Sequence, residues 1–240
     1  MKKFIILIVV CGLFAGCAGG RVEPEERSMA EIYAAAYDEL NDGNYADAGE
    51  LFMAAESEHA TDAFAPDALV MAAYSKYMDD DFSGALIATD RFLRFHPGHR
   101  DAPYILYLRG MCYYRQVSDV RREPGMSVYA LQQFEQLRER FPSSEYAENA
   151  KNKINILKNY IAGKVMYAAR NDMRRENWTS AITHFQSIVS GADDTVMVPE
   201  ALYRLTQCYT AIGLPEQATG YRDMLRQNFP DNQWTKKLDE

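Results

Sequence analysis

"NYADAGELFMAA", residues 44–55, sets the reading of the whole chain, because its pattern returns. "DFSGALIATDRF" (81–92) and "NWTSAITHFQSI" (177–188) each open on Asp or Asn, then an aromatic, then Ala three residues on. Asn and Asp are favoured helix caps, which makes the aromatic the first residue of a helix. Ala48, Ala85 and Ala181 then mark where a small side chain lets a neighbouring helix come close. "SVYALQQFEQL" (127–137) repeats the pattern with Ala130. "LPEQATGYRDML" (214–225) repeats it with Ala218, with Pro215 in the first turn.

The helix ends match as well. "FLRFHP" (92–97), "LRERFP" (137–142) and "LRQNFP" (225–230) all close on Pro, which cannot continue a helix and pushes the residue before it out of the α region. In front of each repeated helix the apolar spacing predicts another, over 29–42, 64–79, 101–116, 145–175 and 198–212. Ser28-Met29-Ala30-Glu31 has the capping-box form at the start of the first. No segment alternates as a strand would. The unit is therefore helix–turn–helix. The Ala-to-Ala steps are 37, 45, 51 and 37 residues, the shortest near the 34-residue tetratricopeptide period. The aromatic, Ala and Pro positions resemble that repeat too. The expected fold is all-α: a right-handed tetratricopeptide-like solenoid of about five units and ten helices. The long steps imply a long insertion in the third unit, at 116–127, and a first helix of about 25–30 residues in the fourth, against the usual 11–12. The units are expected at about 29–60, 64–99, 101–142, 145–192 and 198–230. They form one domain over 29–234, since each unit buries its face only against its neighbours. Residues 235–240 are expected to be a charged tail.

Composition fits a soluble globular protein: 48% hydrophobic and 25% charged over 240 residues. The formal charge of −8 argues against nucleic acid as a partner, because phosphate contacts need a basic surface.

The first 16 residues differ. Met1-Lys2-Lys3 is basic, 4–15 is apolar, and Ala15-Gly16 supplies small residues before Cys17. That is the plan of a signal peptide, and the apolar run is too short to span a bilayer. A buried N-terminal helix is the alternative, but the run lacks a polar face. The segment resembles a bacterial lipoprotein signal. Ala15-Gly16-Cys17 fits, although Phe14 stands where Leu is usual. The resemblance implies that 1–16 is removed and that Cys17 carries N-acyl and S-diacylglycerol groups, enough chains for stable anchoring. Residues 17–28 then form a lipidated tether reaching at most about 35 Å. Ala18 after the Cys, rather than Asp, implies the outer membrane.

Cys112 and Cys208 fall at equivalent repeat positions two units apart, beyond the roughly 7 Å Cα limit for a disulfide. Both are expected as buried thiols. His59, His96, His99 and His184 form no ligand pattern, and His96 and His99 are expected as exposed turn residues, so no metal or cofactor is expected. No nucleophile elbow, phosphate loop or zinc-protease motif occurs. The chain is read as a non-enzymatic binding protein.

Counting back from each Ala places groove-facing residues on the first helix of each unit. In the first three units these include Tyr33, Tyr37, Tyr74, Tyr77, Tyr104, Tyr107 and Tyr114. In the last two they are Met166, Arg170, Met173, Arg174, Tyr203 and Gln207. Tyrosine offers a large apolar face and one hydrogen bond at low entropy cost, which suits a peptide groove. The alternative is that these rings pack between helices.

With the repeats placed, several stretches resemble the BamD family, the lipoproteins of the outer-membrane β-barrel assembly machine. They are "DGNYADAGELF" (42–52), "FLRFHPGHRDAPYILYLRGMCYYRQVSDVRREPGMSVYAL" (92–131), "RFPSSEYAENAK" (140–151), "VPEALYRLTQCYTAIGL" (198–214) and "FPDNQW" (229–234). The second carries the third-unit insertion, which a generic tetratricopeptide array lacks. The resemblance implies a lipid-anchored protein on the periplasmic face of the outer membrane. Its C-terminal units would hold the periplasmic domains of the barrel-forming central subunit (BamA-like), alongside other assembly-machine lipoproteins. Its N-terminal units would receive unfolded outer-membrane proteins. The competing reading is a periplasmic repeat adaptor of the Tol–Pal and cell-division type. Cys17 and the third-unit insertion speak against that. A solenoid enzyme such as a lytic transglycosylase would need an added catalytic domain, for which no room remains.

Overall fold

The computed structural model describes residues 27–117, 125–191 and 195–238. The signal, Cys17, most of the tether, the centre of the third-unit insertion and the last two residues lie outside them.

Ser28 caps α1 (Met29–Asn41) through a full capping box, its hydroxyl accepting from the Glu31 amide while the Glu31 carboxylate reaches back to the Ser28 amide. α2 (Tyr45–Glu58), α4 (Phe82–Phe95) and α8 (Trp178–Gly191) begin on the aromatic of the repeat. Asp81 caps α4, accepting from the Gly84 amide at 2.9 Å. Asn44 does not cap α2; its amide turns back to donate to Glu39 at 2.7 Å. α3 (Ala65–Met78), α5 (Ala102–Arg115) and α9 (Val198–Ala211) carry Pro in the first turn, where the missing N–H has no helical partner to lose. α10 (Pro215–Asn228) starts on its Pro. α6 (Gly125–Arg140) follows the insertion, and α7 (Glu145–Arg174) runs 30 residues, about 45 Å.

Consecutive helices pack in order from α1 to α10, with α3–α5 and α5–α7 contacts between first helices of adjacent units. This is the helix–turn–helix array of tetratricopeptide proteins. Among the described residues there is no strand. The repeated alanines 48, 85, 130 and 181 are fully buried and Ala218 nearly so. Phe52, Phe134 and Phe185, each four residues after its Ala, are fully buried. Each such side chain contributes about 1.5–3 kcal/mol of apolar burial.

In four of the five units the turn between the two helices has one geometry. The residue two before the second helix takes positive φ: Gly43 (81°), Asp80 (59°), Glu176 (62°) and Gly213 (75°). Glycine holds this without cost, whereas Asp80 and Glu176 are strained there.

The core divides into patches. Two N-terminal clusters centre on Ile32 and on Phe52, Leu69 and Phe92, and a middle one on Phe134 and Leu157. A C-terminal one gathers Met166, Phe185, Leu202 and Leu225. α7 crosses from the middle patch (Ala147–Leu157) into the last (Ala162–Ala169).

Two expectations need correction. An eleventh helix, α11 (Gln233–Lys236), lies beyond the ten counted from the repeats. Accordingly 235–238 is no free tail: Thr235 is buried and Leu238 packs on the C-terminal cluster, so the packed body runs past 234. Cys112 and Cys208 are free, buried thiols. Burial pushes Cys112 up to about 12 and Cys208 up to about 11, so both stay protonated.

Candidate functional site

The tyrosines of the first three units fall into connected patches on α1, α3 and α5. Tyr33 and Tyr37, one turn apart on α1, have ring centroids 5.6 Å apart, and both meet the edge of Phe52 on α2. With Met29, Ala30, Ala34 and the exposed Phe64 they line an apolar cavity of about 280 Å³. Tyr33 also borders a second cavity of about 260 Å³ with Asp67, Val70, Met71, Arg100 and Asp101, so the strip continues from α1 across α3 to the start of α5. Burial, helped by Tyr37 and Asp67, pushes the Tyr33 hydroxyl up to about 12.

Tyr104 is half-buried. Burial, with Tyr74, Tyr146 and Tyr77 nearby, pushes its hydroxyl well up. Its ring lies 5.4 Å from that of Tyr146 on α7. Tyr77 packs on Phe82 and lies under the Arg115 guanidinium at 5.8 Å. Tyr107 and Tyr114 both pack on Phe134 and share the Lys153 ammonium, 5.5 and 6.0 Å from their centroids. Six of the seven rings are half-buried and Tyr37 is exposed. Both readings of these residues therefore have a physical basis: most rings pack, tilted or edge-on, against a phenylalanine or a neighbouring tyrosine, yet keep part of their surface open. Their hydroxyls differ from those of the C-terminal half. There, Gln186 donates to Tyr209 and Tyr221, and Gln207 to Tyr203. Among the described residues no hydrogen bond ties down the hydroxyl of any of the seven N-terminal tyrosines.

Beside the second of the two cavities that Tyr33 borders, the ligand atoms of Asp67, His99 and Asp101 come within 4.8 Å of one another. Arg100 reaches both carboxylates, at 3.6 and 3.4 Å, so the group reads as an ion network. His96 and His99 are half-buried rather than exposed, their rings against Phe92.

In the last two units Arg170, Met173 and Arg174 line a cavity of about 530 Å³ with Tyr167, Trp178 and Arg204. Met166 does not: it is 1% exposed, inside the C-terminal cluster with Leu202 and Leu205. That position of α7 is packed into the core with residues of α8 and α9. Arg170 on α7 grips the buried Glu200 on α9 with Nε at 2.9 Å and a second bond from Nη2, and Arg204 Nε approaches the same carboxylate at 3.4 Å.

The YfiO family model, described as an outer membrane lipoprotein, matches residues 25–238. The chain belongs to that family. It is 32% identical to the outer membrane protein assembly factor BamD of Caulobacter vibrioides over 234 residues, covering 96% of this chain and 77% of the relative. It is 32% identical to the BamD of Neisseria meningitidis serogroup B, covering 99% and 95%, and 28% to that of Rickettsia prowazekii, covering 98% and 94%. Among solved structures, a thermophilic TPR protein of Thermus thermophilus aligns at 18% identity and TM-score 0.39, covering 88% of this chain and 96% of that one. The type IV pilus biogenesis factor PilW aligns at 15% and 0.38, covering 88% and 98%.

Sequence reading missed Tyr167, Trp178 and Arg204 in this family member. Trp178 carries the repeat's aromatic signature, which masks any second role. Arg204 reaches the cavity from α9, where it shares Glu200 with Arg170 of α7. Among the described residues no helix is long and apolar enough to cross a membrane.

Proposed function

We propose that this protein is a lipid-anchored, non-enzymatic scaffold of outer-membrane protein assembly. It is held by Cys17 on the periplasmic face of the outer membrane. Its N-terminal groove receives unfolded outer-membrane proteins, while its C-terminal units hold the barrel-forming central subunit beside other lipoproteins of the machine. The observation that carries the substrate role is the strip of tyrosines on α1, α3 and α5. Its rings offer apolar faces beside the two small cavities, and their untied hydroxyls can bond a peptide backbone. The family match and the BamD relatives support the setting.

A photo-crosslinker at Tyr74 tests the groove against one at Ile87, an exposed residue of α4. The Tyr74 site is expected to capture unfolded outer-membrane protein in clear excess; equal yields overturn the groove. Cells fed labelled palmitate are expected to label the wild type and not Cys17→Ser, and an unlabelled wild type overturns the anchor. For the central subunit, Met224 on the exposed face of α10 is the crosslinking site, because deleting 198–240 would strip the C-terminal core.

A further inference from the structure

A further cavity, of about 530 Å³, lies at the other end of the molecule from the tyrosine strip. It is set between the end of α7, the start of α8 and α9. Its charges do not cancel. Three guanidiniums, Arg170, Arg174 and Arg204, face one carboxylate, Glu200. Glu200 fixes two of them in place, Arg170 through a two-bond grip and Arg204 at 3.4 Å. A guanidinium so held keeps further N–H groups free and has little rotamer entropy left to lose on binding. Arg174, exposed on the same wall, has no ion-pair partner among the described residues. The cavity is thus a local excess of positive charge on a chain whose formal charge is −8.

The remaining wall is apolar. Met173 and Trp178 supply it, and Tyr167 stands at the edge with 71% of its surface exposed. Arginine beside tryptophan and tyrosine is the composition of interface hot spots.

We infer that this cavity is a docking site for an acidic peptide segment. A carboxylate sits on Arg174 and the free edges of Arg170 and Arg204. A neighbouring bulky apolar side chain lies against Tyr167, Met173 and Trp178. Charge complementarity selects the carboxylate, and the apolar wall selects its neighbour. The inference deepens the reading of the C-terminal units as a partner surface, and rests on it only for where the segment comes from. It names a chemistry that the free protein can show by itself.

The test is fluorescence anisotropy with the detergent-extracted full chain. The probe is a short labelled peptide with Glu-Phe-Glu at its centre and an amidated end. Its partners are the same peptide with Gln for Glu, and a peptide whose only carboxylate is its C-terminus. Arg174→Glu leaves the Arg170–Glu200–Arg204 network in place and is expected to weaken the Glu peptide by about tenfold or more. Tyr167→Ala, at a site too exposed to disturb the fold, is expected to weaken it by several-fold. Binding by the amidated Glu peptide assigns the carboxylate to a side chain, and binding only by the free-acid peptide assigns it to a chain end. Either carries the inference. Equal binding of the Gln peptide, unchanged affinity in Arg174→Glu, or binding of an oligonucleotide in place of every peptide overturns it. Peptide failure with intact Met224 crosslinking to the central subunit sinks this inference alone; the reverse pattern sinks the partner reading alone.

Discussion

Gly110, on α5, faces the ring of Phe134 so closely that an added Cβ would lie 2.5 Å from a ring carbon. Neither the fully buried ring nor the helix has room to give way. Gly110→Ala is expected to destabilise by about 1–3 kcal/mol, the usual cost of overpacking. Thermal melting would show this as a fall of about 2–4 °C per kcal/mol for a chain of this length. The strained turn residues run the other way. Glu176 is exposed at φ 62°, where Gly43 and Gly213 sit at no cost in the matching turns. Glu176→Gly relieves about 1–2 kcal/mol of left-handed strain and gives part of it back as unfolded-chain entropy. A net gain of about 0.5–1 kcal/mol is expected in a urea titration. Asp80, at the same position in the second unit, also pairs with Arg115 at 2.8 Å, so the same change there is expected to gain less. The buried thiols set a pH limit. Cys112 is raised by burial to about 12, above its ordinary value of 9.0. The unfolded chain therefore releases that proton before the folded one does. Stability from this group is complete below the unfolded value and is lost as pH rises toward about 12. The alkaline slope of the urea midpoint is expected to flatten in Cys112→Ala, whatever its absolute stability.

Helix boundaries were largely legible because the signals that set them are local. The aromatics Tyr45, Phe82 and Trp178 start their helices, the prolines at 97, 142 and 230 follow helix ends, and the helices expected from apolar spacing begin and end within a residue of those observed. The site was less legible, because it depends on which helix lies across which. Counting from Ala181 brings together Arg170, Met173 and Arg174, which do line one cavity. It misplaced Met166, which packs into the core with residues of α8 and α9, and it passed over Arg204, which reaches the cavity from α9, a different helix. The tail "TKKLDE" reads as charge in sequence, but Leu238 packs on the C-terminal cluster together with Trp234. α7 has its own weak point. Gly163 lies just inside the stretch packed in the last cluster, next to Ala162, itself five residues past the end of the middle one at Leu157. A Cβ there would meet only Met197 Cε, at 3.8 Å, an ordinary contact. Gly163→Ala is expected to stabilise by about 0.5–1 kcal/mol through helix propensity alone, read from a urea midpoint.

A solenoid is stabilised by its neighbours one at a time, so its ends are its weak points unless something closes them. The first unit is closed by the Ser28 capping box and by Tyr33, which packs on its own core. The last is closed by α11, a helix of one turn. Asn232 caps it, accepting from the Trp234 amide at 3.0 Å. Trp234 then lies 5.3 Å from the Tyr203 ring, with Arg204 on one approach and Lys237 at 4.5 Å on another. The lid therefore also steadies Arg204, a wall of the C-terminal cavity. The C-terminal core patch shares α7 with the middle patch but has no core residue in common with it. Loss of the lid should thus be felt locally. Trp234→Ala is expected to cost about 2–4 kcal/mol at a half-buried aromatic. Hydrogen exchange should speed in α9 and α10, where opening is no longer resisted, while α1 to α5 keep wild-type protection. A uniform loss of protection along the chain would mean that the two halves unfold as one body. In that case the C-terminal units could not respond to a partner independently of the tyrosine strip.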